Sequence, residues 1–339
     1  MGVNLKPLTS PEEISLDELK GKVIAIDAYN ALHQFLSIIR QRDGTLLKDS
    51  SGEVTSHLTG LLYRTSNLVE KGIKPIYVFD GKPHPLKMDT LNGRKAIKEK
   101  AMEEWEKAKE RGDMEEARKK AQQTSVLSKE MVKEAKKLLE ALGIPYVQAP
   151  GEGEAQASFM CMKGDADAVS SQDFDCLLFG APVLVRNVAI TGKRKMPGKQ
   201  KWVNISPERI ILEDVLSEHG ITREQLVDIA ILVGTDFNKG VKGIGPKTAL
   251  KLIKKYGRIE EVLRAEDISE LDNVDEVRDI FLHPSVTEDY SIEWEAVDEE
   301  EVINFLCGEH QFGKERVRHA VEKFKAFSRS LGQKNLFDF

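Results

Sequence analysis

The chain has 339 residues, 40% of them apolar and 31% charged, enough for one large domain or two smaller ones around a real core. No apolar run approaches membrane-spanning length, the N-terminus lacks a signal-peptide layout, and three cysteines without metal-type pairing point to a reducing, cytoplasmic setting. The net charge of −6 excludes little, because basic clusters such as Lys193-Arg194-Lys195 and Lys247 through Lys255 coexist with acidic runs such as Asp298 to Glu301.

Short apolar runs alternating with helical patterns give the first half an α/β signature. Val23-Ile24-Ala25-Ile26 reads as a buried strand ending at Asp27, and Pro75 to Phe79 as another ending at Asp80. Ligands of open α/β sheets bind beyond the carboxyl ends of strands, so both acids suit a site; each equally suits a helix N-cap. From Lys82 to Lys137 the chain is almost all helix formers and charges, which predicts a solvated helical hairpin that projects from the body or moves. A helix with Met131, Ala135, Leu138, Leu139 and Leu142 on one face should stop at Gly143, before a strand around Tyr146.

Glu152 and Glu154 follow Pro150-Gly151. Residues two apart on a helix point away from each other, so both acids face one site only if Glu152 precedes the helix. The alternative is ordinary acidic enrichment of a first turn. Asp173 and Asp175 follow a strand through Val169; in extended chain that spacing puts both on one side. Asp236 lies in Gly234-Thr235-Asp236, after an apolar helix. Seven converging carboxylates would need hard divalent cations, Mg²⁺ or Mn²⁺ rather than Zn²⁺, because no His or Cys set accompanies them. Two ions about 4 Å apart could activate a water for phosphodiester displacement.

Gly240 to Lys247 holds three glycines and Pro246 before a helix, with Lys242, Lys247, Lys251 and Lys254 alongside. Backbone N–H groups there could approach phosphate, in the manner of a helix-hairpin-helix grip; a plain interhelical turn is the alternative. In the tail, Gln333, Leu336 and Phe339 carry a spacing that suits a short helical turn set into an apolar pocket, or else a disordered end.

Val23 to Ala28, Val78 to Pro83, Ala149 to Ala155, Ser171 to Asp175 and Gly234 to Phe237 resemble, in order and spacing, the active-site motifs of flap endonucleases, most closely the archaeal-type members of this structure-specific 5′ nuclease superfamily. The resemblance implies a central, mostly parallel sheet flanked by helices, with a helical arch and the helix-hairpin-helix element. It implies an N region over 1–98, an arch linker over 99–115, an internal region over 116–258, a C-terminal helical part over 259–330 and a clamp-interaction tail over 331–339.

Two Mg²⁺ ions are implied, one on Asp27, Asp80, Glu152 and Glu154, the other on Asp173, Asp175 and Asp236, with Mn²⁺ able to substitute. Lys87 and Arg94 match the family's catalytic cations at the foot of the arch, which would contact the scissile phosphate and stabilise its developing negative charge. Arg40 and Arg64 match DNA-contacting positions, and DNA contact extends to Glu152, Gly234, Asp236, Lys242, Gly243, Gly245 and Lys247, with K⁺ at the glycine hairpin. His33 stands where Tyr often stacks on the base beside the cut; an imidazole can stack but titrates near neutrality, so the contact would be pH-sensitive. Gly151 replaces a common Ser, and Phe174 and Phe237 replace common Tyr residues. Gln333, Leu336 and Phe339 match the motif that docks on the sliding clamp PCNA, although the chain stops at one terminal aromatic. The implied enzyme is a monomeric hydrolase that cuts 5′ flaps in branched DNA, with 5′→3′ exonuclease activity and roles in Okazaki fragment maturation and base excision repair.

Overall fold

The computed structural model describes residues 2–190, 192–195, 202–269 and 271–334. After β1 (Glu12–Glu13), β2 (Val23–Asp27) runs directly into α1 (Ala28–Ile38), and α2 (Ser56–Glu70) leads to β3 (Lys74–Phe79). Helices α3 (Met88–Glu110) and α4 (Met114–Ala121) form a hairpin, from which α5 (Lys129–Ala141) returns to β4 (Tyr146–Gln148). Then come α6 (Gly153–Lys163), β5 (Ala168–Ser170), the short α7 (Asp175–Leu178) and β6 (Val183–Arg186). A two-stranded ribbon of β7 (Gly192–Lys195) and β8 (Trp202–Ile205) precedes β9 (Glu208–Ile211). The remainder is helical: α8 (Leu212–His219), α9 (Arg223–Val233), α10 (Pro246–Tyr256), α11 (Ile259–Ala265), α12 (Val274–Leu282), α13 (Glu299–Ile303) and α14 (Lys314–Lys334).

The main sheet has the order β1-β9-β6-β5-β2-β3-β4. Strands β6, β5, β2, β3 and β4 are mutually parallel, while β9 runs antiparallel to both β6 and β1. This is the mostly parallel, helix-flanked sheet that the resemblance implies. Its β-branched runs are apolar at every position because both faces are covered. Ala25, Ile76, Val78, Val169 and Leu184 pack one face against α6, α7 and α9. Ile24, Ile26, Tyr77, Phe79 and Val185 pack the other against α1, α2, α5 and α14. Successive strand residues alternate between these two cores, as the pleat requires.

Parallel register also aligns the acids. Asp27 is opposite Val78 and Ile26 opposite Ser170. The chain beyond Val78 and beyond Ser170 therefore leaves the sheet at the edge where Asp27 sits.

The α3/α4 hairpin departs from expectation in one respect: it does not stand clear of the body. Its buried residues are only Ala101, Ala108, Ala117 and Ala121, so its two helices meet through methyl groups. It is nevertheless tied to the loop after α1. The Trp105 indole N–H donates to the Asp43 carbonyl at 3.0 Å, Lys109 lies 3.3 Å from the Asp43 carboxylate, and Ser37 Oγ donates to the Gln122 carbonyl at 2.8 Å. A β-carbon on Gly44 would stand 2.5 Å from that of Ala121, so the approach needs glycine there. These ties come from residues about 60 and 85 positions apart, which helical composition cannot reveal. The hairpin also runs unbroken across residue 98, where the N region was expected to give way to the arch linker.

Past α12 the chain crosses the molecule as an extended strap. Gln156, fully buried on α6, exchanges two hydrogen bonds with the Thr287 backbone, at 2.8 and 2.9 Å. The Trp294 indole donates to the Pro75 carbonyl at 3.0 Å, and the Glu295 N–H donates to the Gly143 carbonyl at 3.0 Å. Gly143 has φ +67° and ends the turn after α5, as the sequence suggests; a side chain there would strike the strap.

Candidate active site

Asp27 turns out to be both things the sequence allowed. One carboxylate oxygen caps α1 by accepting from the Asn30 N–H at 2.9 Å; the other accepts from Ser171 Oγ at 3.2 Å. Asp80, just past β3, accepts from the Gly153 N–H at 2.6 Å. A β-carbon on Gly153 would lie 2.7 Å from that oxygen and 3.2 Å from the Val78 carbonyl, so a side chain where α6 begins would displace the Asp80 carboxylate.

Glu152 is the residue before α6, with extended backbone at φ −70° and ψ 130°, and Glu154 lies in the first turn. That is the condition under which two acids two apart can face one site. Glu154 accepts from Ser171 Oγ at 2.9 Å and from Cys176 Sγ at 3.7 Å. Asp173 and Asp175 are not in extended chain, contrary to expectation. Phe174 between them is in a helical conformation, and Asp175 opens α7. They are brought to the same cluster by a turn rather than by the pleat. Asp175 is buried and accepts from the Val3 N–H at 2.9 Å. Asp236 lies in a turn closed by the Thr235 hydroxyl, which donates to Asn238 Oδ1 at 2.8 Å. Gly234 there has φ +105° and packs directly on the backbone of Lys239 and Gly240.

Electrostatics make the acids one group. Burial, then Asp80 and Asp173, push Asp27 up to about 8. Burial, then Asp173 and Asp236, push Asp175 up to about 7; burial and Glu152 push Asp80 up to about 6. Burial first, then Asp173, Asp27 and Asp175, hold Glu154 well above the usual carboxylate range. Each acid is thus felt by others of the set.

Two cations answer them. Lys87 pairs with Glu152 and lies 3.8 Å from Asp236, and Arg94 donates to Asp236 at 2.5 Å. Burial opposes the charge on Lys87, yet Glu152, Asp80 and Asp236 raise it above the ordinary lysine range. Seven residues separate Lys87 from Arg94, two helical turns, so one face presents both. Lys98 is one turn further along; burial and Arg94 lower its pKa.

All seven acids supply hard oxygen donors, and their mutual repulsion fits divalent cations. As placed, no three His, Cys, Asp or Glu side chains among the described residues are arranged to hold an ion. Two of the acids are instead engaged by Lys87 and Arg94. The donor chemistry fits.

His33 corrects one expectation. Burial first, then Lys98 and Arg94, lower it to about 4, so it is a neutral imidazole at physiological pH. Arg40 is turned inward: it donates to the Leu36 carbonyl at 2.7 Å and the Gly44 carbonyl at 2.9 Å, and its Nη2 is buried without a partner. Burial lowers Arg40 to about 10 and also lowers the half-buried Arg64 on α2. Helices α9 and α10 pack together through the glycine hairpin, where Gly243 has φ +89°, Gly245 precedes Pro246 at the start of α10, and Lys242 and Lys247 are exposed. Gln333 falls in α14, while Leu336 and Phe339 lie outside the described residues.

Sequence reading missed Ser171, the Val3 N–H and Lys98. Lys98 left a signal in its one-turn spacing from Arg94, and Ser171 in its place at the head of the Ser171 to Asp175 motif. The bonds that Ser171 and the Val3 N–H make depend on contacts across the fold.

An acid cluster at the carboxyl edge of a parallel sheet, faced by the bases of a helical hairpin, defines a nuclease of the XPG type, and comparison with known proteins agrees. The XPG N-terminal domain family matches residues 1–101 and the XPG I-region family residues 143–236. Flap endonuclease 1 of Methanosarcina barkeri is 55% identical over 333 residues, 98% of both chains. That of Pyrococcus abyssi is 54% identical over 96% of this chain and 94% of its own. The solved flap endonuclease-1 from Methanococcus jannaschii, 44% identical, aligns with a TM-score of 0.77 over 97% of this chain and 99% of that one. The catalytic core of Rad2 in complex with DNA substrate, 23% identical with a TM-score of 0.69 over 94% and 97% of the two chains, shares the fold. The chain belongs to the flap endonuclease family. Nucleases of this family depend on divalent metal ions. Among the described residues no helix is long and apolar enough to cross a membrane.

Proposed function

We propose that this protein is a structure-selective nuclease that cuts DNA at the base of a 5′ flap, leaving a 3′-hydroxyl and a 5′-phosphate. The observation that carries the reading is the union of seven carboxylates at one sheet edge with Lys87 and Arg94 directed into them. Asp27, Asp80, Glu152 and Glu154 would hold one Mg²⁺ ion, and Asp173, Asp175 and Asp236 a second; Mn²⁺ has the same ligand preference. When bound, such ions lower the pKa of water and stabilise both oxygens of an in-line displacement.

The protein's own groups do the rest. Lys87 and Arg94 exchange their carboxylate partners for the scissile phosphate and stabilise its growing negative charge. His33, neutral and flanked by Lys98 and Arg94, offers a ring for the base beside the cut. Arg64 places duplex backbone, as do the exposed Lys242 and Lys247 and the N–H groups around Gly243 and Gly245, where K⁺ would bind, whereas Arg40, committed to the Leu36 and Gly44 carbonyls, supports the wall beside them. Glu152, Gly234 and Asp236 line the same DNA path. Gln333, Leu336 and Phe339 dock the monomer on a sliding clamp, consistent with a cytoplasmic place in Okazaki fragment maturation and base excision repair and with 5′→3′ exonuclease activity at nicks.

The test is Mg²⁺-dependent cleavage of a double-flap DNA with products sized to the nucleotide, beside nicked and bubble substrates. Cleavage at the flap base is expected; dominant cleavage inside the bubble would overturn the assignment. Removing residues 333–339 should abolish clamp binding, and unchanged binding would reject that part.

A further inference from the structure

Ser171 joins three of the seven acidic residues through one oxygen. It follows Ser170, the last residue of β5, whose register partner is Ile26, so its side chain falls beside Asp27. Its Oγ lies 2.9 Å from Glu154 Oε1 and 3.2 Å from Asp27 Oδ2, and it accepts from the Asp173 N–H at 3.2 Å. The side chain is almost wholly buried, and of the carboxylates it touches Asp27 is buried and Glu154 partly so, each repelling the other.

A hydroxyl has one proton and two lone pairs. The Asp173 N–H occupies a lone pair and leaves the single O–H to the carboxylates. That proton then has two acceptors, Glu154 and Asp27, which share it. The result is a clasp: two acids that would repel are held at a common donor, and the backbone that carries Asp173 is locked to them. Cys176 Sγ, 3.7 Å from the same Glu154 oxygen, is a weaker second donor. Ser158 Oγ, 2.6 Å from the Glu154 carbonyl and 3.2 Å from that of Cys176, pins the backbone beneath.

We propose that Ser171 is a positioning residue for divalent-metal binding, holding Asp27, Glu154 and Asp173 at the separation from which they receive an ion. This rests on the metal-dependent reading above. Partners of metal ligands typically change affinity or activity by about 10- to 100-fold when removed. A buried hydroxyl that served packing alone would change stability and leave metal affinity untouched.

The experiment compares the parent with Ser171→Ala and Ser171→Thr, measuring Mn²⁺ binding to the DNA-free protein by calorimetry and the Mg²⁺ dependence of flap cleavage. Ser171→Ala should weaken Mn²⁺ binding about tenfold and raise the half-saturating Mg²⁺ by a similar factor. Ser171→Thr, which keeps the hydroxyl, should restore both to within about twofold. If Ser171→Ala fails to fold, Ser171→Cys replaces it, because a thiol is a poor donor, with the same expectation. Unchanged Mn²⁺ affinity in the Ala variant overturns the proposal, as does a Thr variant as weak as the Ala variant. A parent that binds no Mn²⁺ overturns both this proposal and the metal reading beneath it.

Discussion

Asp27, Asp80 and Glu154 are carried by elements whose neighbours are Ile24, Ile26, Val78 and Phe79, all essentially inaccessible to solvent. Arg94 and Lys98 are carried by a hairpin whose buried residues are four alanines. A buried Ile or Phe contributes about 1.5–3 kcal/mol and a buried methyl about 0.8, so the two regions differ severalfold in what holds each residue. The hairpin also exposes Met88, Ile97, Met102 and Met114. The acids therefore stand on a floor that resists displacement, while Arg94 rides on an element held by far less buried apolar surface. A nuclease that must admit a flap and still hold its metals needs that division.

The largest expected effect tests the floor. Asp173→Ala should lower Mg²⁺-dependent flap cleavage by about a thousandfold or more, since a metal contributes several kcal/mol of transition-state stabilisation, while flap binding in Ca²⁺ persists. Full activity would remove Asp173 from the metal set. Arg94→Ala should cost about a hundredfold in single-turnover rate, with Mn²⁺ affinity of the DNA-free protein equal to or tighter than the parent's. If Mn²⁺ affinity instead collapses, floor and hairpin are one unit and the comparison fails.

The pH dependence of stability probes the acids without their counter-ions. Asp27, Asp175 and Asp80 have pKa values raised to about 8, 7 and 6, above those of the unfolded chain. The folded state binds more protons than the unfolded one between the two values, so stability falls as pH rises. In EDTA the unfolding free energy should decline steadily between pH 4 and pH 8, by several kcal/mol in all, and Mg²⁺ should offset most of the loss. A flat profile in EDTA would mean the acids are not mutually strained.

Two glycines give the smallest and most direct contrast. Gly153→Ala puts a β-carbon 2.7 Å from Asp80 and should destabilise by about 1–3 kcal/mol in denaturant titration. Gly93→Ala, in α3 with open space around it, should stabilise by about 0.5–1 kcal/mol. Opposite signs on the two sides of the site would sharpen the difference between floor and hairpin; destabilisation at both would blur it.

Much of the floor was legible in the sequence, because strand ends and helix starts are local features. Asp27 and Asp80 close apolar runs, and Glu152 precedes a helix after Pro150-Gly151, so their placement follows from nearby residues. Asp173 and Asp175 were legible as a pair but not in geometry, since the spacing of two fits a strand and the chain there turns into α7. What the sequence could not carry was set by distant partners. The low pKa of His33 arises from burial and from Lys98 and Arg94 on another helix. Arg40 looks like a free base until its bonds to Leu36 and Gly44 are seen. The docking of the hairpin onto Asp43 and Gly44 depends on Trp105 and Ala121, which composition reads as solvent-facing.

The extended strap has a consequence for how the protein is born. Asp236 is the last of the seven acids to be synthesised, yet the bond from Trp294 to Pro75 closes only after a further stretch of nearly sixty residues. At roughly 5–20 residues per second, the ribosome leaves an interval of about 3–12 s in which every acid exists but the belt across α6 and β3 does not. During that interval Gln156 has no Thr287 to grip, and the face that Trp294 covers is open. The nascent chain is then most exposed to misassembly and proteases, and contacts spanning more than two hundred residues are slow to form. Completion of the nuclease is thereby timed to a segment that carries none of the seven acids.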